Sequence, residues 1–162
     1  MTTRLARLGP WLAGGAVLAQ SQWAALLTWR GEQADLGLAM VVLVGLLAGN
    51  PAGLLTGLCA GLVMGWCTGL AALPFVLSRG LTGAVAGELR PVVQGRHTLS
   101  QVALVAGGVV LVEVSFALLH PAVLQQPGWL ERLLWRTGYT ALLTPPLAWL
   151  LSWLTPPEER PT

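Results

Sequence analysis

The chain has 162 residues, of which 54% are hydrophobic and only 10% charged, against roughly 25% charged in a soluble domain. That composition points to an integral membrane protein and leaves little length for a soluble domain beside it. The net charge of +2, scattered along the chain, excludes the clustered basic face that nucleic-acid binding needs.

In chain order, Arg4 and Arg7 precede an apolar run from Pro10 to Trp29. The run is long for a secretory signal, and no small-residue cleavage site closes it, so a first spanning helix is predicted over 10–29. Arg30, Glu32 and Asp35 form the first connection, and a second, short span follows over 33–49. Asn50-Pro51 is a turn signal with proline set for the start of the next helix, which is predicted over 52–71. A fourth span covers 74–89. Arg90 to Ser100, with Arg90, Arg96 and His97, is the clearest polar connection, and 101–119 is the fifth span. The segment His120 to Glu131 carries Pro121 and Pro127, which discourage helix. The sixth span, 130–154, contains Pro145 and Pro146, whose missing donors should kink it. The tail, Thr155 to Thr162, is proline-rich and read as disordered. The whole is one all-α membrane domain over 1–162.

The third predicted helix holds a glycine ridge, Gly53, Gly57, Gly61, Gly65 and Gly69. Each interior glycine costs a helix about 1 kcal/mol relative to alanine, so five at a spacing of four need a gain from packing. Lipid tails give helices no hydrophobic reason to associate, whereas small residues let backbones approach closely. Gly83 and Gly87 give the fourth helix a matching face, and the two helices are expected to pack through these residues. Because a four-residue step advances about 40°, the ridge should wind around its helix and could also admit a partner's helix. Cys59 and Cys67 fit neither metal-ligand nor redox spacing and are read as small buried apolar residues.

Three ionisable residues fall inside predicted spans: Arg79, Glu113 and Arg136. Counting from the helix ends places all three roughly 8 to 9 Å below one membrane surface. Intramembrane charges usually face protein and a partner, so Glu113 is expected to pair with Arg79 or Arg136. Snorkelling to the headgroups is the alternative for the two arginines. With six spans, the side holding Arg4, Arg7, Arg90, Arg96 and Arg160 is predicted cytoplasmic, and Arg30 and Arg132 lie on the other. Trp11, Trp29, Trp129, Trp149 and Trp153 fall near predicted helix ends, where interfacial rings prefer to sit.

No catalytic constellation is visible. His97 and His120 fall on opposite sides, no metalloprotease, hydrolase or phosphate-loop motif occurs, and Asp35 has no second carboxylate at a suitable spacing. Ser78, beside Arg79, has no evident base. No cofactor, metal or small-molecule substrate is expected.

Two stretches resemble MreD, a family of small multi-span proteins of the bacterial cell-elongation machinery. Ala52 to Arg90 is similar to the family's glycine-rich helix, brief break and following helix that ends in small residues and arginine. Thr137 to Leu154 is similar to its last span, with a proline-marked middle. Two features depart from the family: Trp66-Cys67-Thr68 stands where many members have an aspartate, and Pro156 to Thr162 is less basic than the usual tail. The resemblance implies a non-catalytic scaffold in the inner membrane, both termini cytoplasmic. It would associate with MreC, with the elongation glycosyltransferase and transpeptidase, and indirectly with MreB. The resemblance also implies an architecture like that of the substrate-binding subunits of energy-coupling vitamin transporters. Such a subunit is the alternative function, with Arg79, Glu113, Arg136 and Tyr139 near its ligand.

Overall fold

The computed structural model describes residues 2–23, 28–29, 31–93 and 98–154. The sequence expectations for Arg30, Arg96, His97, the Trp29 side chain and the tail lie outside what is described. Six helices account for almost all of it: α1 (Thr2–Gln22), α2 (Leu36–Ala48), α3 (Asn50–Thr68), α4 (Ala72–Glu88), α5 (Thr98–Leu119) and α6 (Trp129–Leu154). Two short strands, β1 (Thr28–Trp29) and β2 (Glu32–Gln33), pair antiparallel between α1 and α2, and a 3-10 turn (Pro121–Gln125) joins α5 to α6.

The centre is α2. Its sequence, LGLAMVVLVGLLA, is apolar on every face, and every residue from Gly37 to Leu46 is buried. A helix of this kind needs neighbours all round, and α1, α3, α4, α5 and α6 all pack against it. One side of α2, through Met40, Val41 and Leu43, joins Leu5, Val17, Ala60 and Leu151 in one apolar cluster. The other side, through Leu38, Ala39 and Val42, joins Ala86, Val105, Val109 and Val112 in a second.

The first two helices differ from their expected extents for identifiable reasons. Instead of covering 10–29, α1 begins at Thr2 and carries Pro10 inside it. A helical φ suits proline, whose chief loss here is one bond to the Ala6 carbonyl, while extension upstream buries Leu5 completely. It ends at Gln22, and the segment expected to continue it supplies the hairpin, whose Gln33 side chain donates to the Gln20 carbonyl at 2.6 Å. Instead of covering 33–49, α2 starts at Leu36, because the Asp35 carboxylate caps it by accepting from the Leu38 N–H at 2.9 Å.

Helix α3 stops at Thr68 rather than at residue 71, because Gly69 adopts φ 65° and closes the helix. In α6 the helix runs on through Pro145 and Pro146; the two missing donors leave the Ala141 and Leu142 carbonyls without their usual partners.

The tightest packing in the molecule joins α3 to α4. A Cβ placed on Gly57 would lie 2.2 Å from the Arg79 carbonyl oxygen, one on Gly61 2.5 Å from that of Phe75, and one on Gly65 2.6 Å from the Ala72 Cα. At the other end Gly53 and Gly83 meet backbone to backbone, and Gly87 sits against Asn50. Four ridge glycines thus face α4 along the whole seam, and the winding ridge also reaches α2, where a Cβ on Gly53 would lie 2.7 Å from the Gly45 Cα. Gly69 does not belong to that seam, having no atom within 4 Å of an added Cβ. The seam is filled from within the chain, so these glycines are not a surface for a partner's helix. Of the cysteines, Cys59 is half-buried and Cys67 exposed, contrary to the expectation that both are buried.

Candidate functional site

The α1–α2 connection brings Asp35 to the end of the bundle where α4 enters and α6 begins. Its Oδ1 caps α2, which leaves Oδ2 for two guanidinium groups: Arg79 Nη2 at 2.5 Å and Arg136 Nη2 at 3.0 Å. The Asp35 backbone N–H donates to Thr140 Oγ1 at 3.0 Å, and the next N–H, from Leu36, donates to Gln20 Oε1 at 2.8 Å. The Asp35 and Leu36 N–H groups are therefore met by side chains from α6 and α1, and that of Leu38 by Asp35 itself.

Arg136 bridges outward. Its Nη1 pairs with Glu113 of α5, and these two side chains keep 25% and 17% of their exposure, whereas those of Asp35 and Arg79 keep 1% each. The network balances two acids against two guanidinium groups, which is the condition for charges to persist away from water. Beneath it, the Arg79 guanidinium lies 5.6 Å from the centre of the Phe75 ring. Phe75 leads on to Phe116 and then to exposed His120, with ring centres 5.0 and 5.1 Å apart.

Of the three ionisable residues singled out from the sequence, Arg136 and Glu113 form an ion pair. Arg79 does not share it. Its partner is Asp35, and burial rules out snorkelling for it. Sequence reasoning passed over Asp35 as a loop residue. A legible signal was there, since a lone aspartate directly before an unbroken apolar run is the pattern of a helix N-cap. Placing the helix start at Leu36 would have put Asp35 level with the other three.

A cleft of about 180 Å³ opens beside the outer pair, lined by Glu32 of the hairpin, Glu113, Gln126, and Trp129, Arg132 and Arg136 of α6, with Val123 and Leu133. Arg132 Nη2 donates to Gln126 Oε1 at 2.9 Å. The hydroxyl of Ser78 is occupied by the Phe75 carbonyl at 3.3 Å. Among the described residues no group of three metal-ligating side chains occurs.

Compared with known proteins, the chain matches no family model, no curated protein and no solved structure. Among the described residues two helices, α3 and α5, are long and apolar enough to cross a membrane.

Proposed function

We propose that this chain is a multi-pass protein of the bacterial cytoplasmic membrane, with six spans and both termini cytoplasmic. Its function is that of a non-catalytic scaffold of the MreD kind, holding MreC and the peptidoglycan glycosyltransferase and transpeptidase during cell elongation. The observation that carries the membrane reading is the inversion of α4. Outward it presents Leu73, Leu77, Leu81 and Val85, all exposed; inward it buries Ser78, Arg79 and Thr82. Water would reverse that choice, because exposed apolar area is costly and large patches mark contact with another phase or molecule. Trp11, Leu62, Leu118, Leu142 and Trp149 continue the apolar exterior around α1, α3, α5 and α6.

Helix α2, of 13 residues, rises only about 20 Å against a hydrocarbon core of about 30 Å. It tolerates the shortfall because its neighbours, and not lipid, surround its ends. Backbone that is not helical is acceptable at membrane depth where protein buries it.

The scaffold reading draws on the similarity of Ala52 to Arg90 and Thr137 to Leu154 to MreD and on the rigid seam that the first of these stretches builds. Both argue for a fixed platform. Depletion of the protein from its own host tests the reading: the cells should lose a rod shape and round up, and wild-type chain but not Gly57→Leu should restore rods. Rods that keep their width and length without the protein would contradict it.

A further inference from the structure

The cleft beside Arg136 is more than the outer edge of the ion-pair network. Its charged lining is Glu32 and Glu113 against Arg132 and Arg136, two of each sign, and the Asp35–Arg79 pair behind it is also neutral. A ligand with net charge would leave an uncompensated charge in a partly desolvated place, so the cleft favours a ligand neutral overall but charged at both ends.

Donors are in surplus at its α6 wall. Among the described residues Arg132 gives one hydrogen bond, to Gln126, and Arg136 gives two, to Glu113 and Asp35, whereas a guanidinium offers five N–H donors in all. An anionic group rich in oxygen fits that wall, and a phosphate ester is such a group. In the same lining the carboxylates of Glu32 and Glu113 accept hydrogen bonds, so the cationic end should be a primary ammonium. A quaternary ammonium has no N–H to give and calls for an aromatic cage, and Trp129 is the one aromatic residue in the lining.

We propose that this cleft binds a phosphate ester carrying a primary ammonium group, the chemistry of a phosphatidylethanolamine headgroup. Its lip supports a lipid source: Leu130 and Leu134, one turn apart on α6, are 63% and 66% exposed beside the lining residue Leu133. Arg136 is seven residues into α6 and so about 10 Å from its start, just beneath the headgroup layer if α6 spans. This last step rests on the membrane placement proposed above but not on the scaffold role.

Purified, delipidated full-length protein in detergent, titrated with dihexanoyl phosphatidylethanolamine and followed by native mass spectrometry, tests the site. Dihexanoyl phosphatidylglycerol, dihexanoyl phosphatidylcholine and free phosphoethanolamine serve as comparison ligands. The ethanolamine lipid should bind most tightly. Arg132→Gln should weaken it about tenfold, the loss of one charge-assisted hydrogen bond. Glu32→Gln should weaken it similarly while strengthening phosphatidylglycerol, because the cleft then carries a net positive charge.

Both positions lie at the rim of the fold, and unchanged melting of the free variants separates loss of binding from loss of structure. Free phosphoethanolamine binding as tightly as the lipid would support the site and assign its ligand to solution. Equal binding of all three lipids, or affinity indifferent to both substitutions, would overturn the proposal and leave the test of the scaffold role untouched.

Discussion

Asp35 Oδ2 and Arg79 Nη2, 44 residues apart in sequence, meet at 2.5 Å with both side chains 1% exposed. This contact fastens the start of α2 to the middle of α4, and Arg136 adds α6 at 3.0 Å from the same oxygen. Three helices share one carboxylate oxygen.

Removing that carboxylate should therefore cost more than removing either arginine. Asp35→Ala strands the Arg79 guanidinium, leaves Arg136 with Glu113 alone and uncaps the helix, a loss of about 3 to 5 kcal/mol for the buried charge and about 1 kcal/mol for the cap. Arg79→Met leaves Asp35 still paired with Arg136 and should cost distinctly less. Reversible unfolding of both variants in mixed detergent measures the order; equal losses would show that Asp35 does not hold the network.

Gly57→Ala should be strongly destabilising even though it adds one methyl group. The new Cβ would fall 2.2 Å from the Arg79 carbonyl oxygen, so the α3 and α4 backbones must part, and overpacking of this kind costs about 1 to 3 kcal/mol or more. Gly107→Ala in α5 meets nothing within 4 Å and should instead stabilise by up to about 1 kcal/mol. Opposite signs in one melting series would be the result; a harmless Gly57→Ala would mean the seam is looser than described.

The two side chains that receive the backbone donors at the start of α2 should matter individually. Thr140→Val deprives the Asp35 N–H of its acceptor and Gln20→Leu deprives that of Leu36. Each leaves a buried or half-buried donor unmet, at about 1 to 3 kcal/mol. Amide hydrogen exchange should accelerate at residues 35 to 37 in both variants while the α3–α4 seam keeps its protection.

Membrane placement predicts different reactivity at the two native cysteines. Cys67 is exposed one residue before the end of α3, and Cys59 lies eight residues deeper, about 12 Å along the helix. With the termini cytoplasmic, α3 ends outside. A membrane-impermeant maleimide added to spheroplasts should modify Cys67 and spare Cys59, and labelling only after lysis would reverse the orientation.

Much of this architecture was readable from residue order. The all-helical class, the pairing of α3 with α4 through glycine and the Glu113–Arg136 contact all follow from periodicity and the cost of isolated charge. The elements that escaped are those in which a local signal was overruled. Pro10 reads locally as a helix start, yet proline needs only a helical φ and sits inside α1, where burial of Leu5 favours continuation. Gly69 looked like the fifth ridge glycine, but a glycine near a helix end serves equally as its left-handed cap, and spacing alone cannot separate the two uses. Asp35 was hidden because its partners, Arg79 and Arg136, lie 44 and 101 residues away, and no local pattern encodes which distant cations will arrive.

The most direct test of the central claim is isolation of the tagged protein from its own host in mild detergent, with co-purifying proteins identified by mass spectrometry. Recovery of MreC with the peptidoglycan glycosyltransferase and transpeptidase is the predicted result. Recovery of transporter ATPases with their coupling subunit, and no elongation proteins, would contradict the scaffold role and make the cleft at Arg136 the ligand site of a transport subunit.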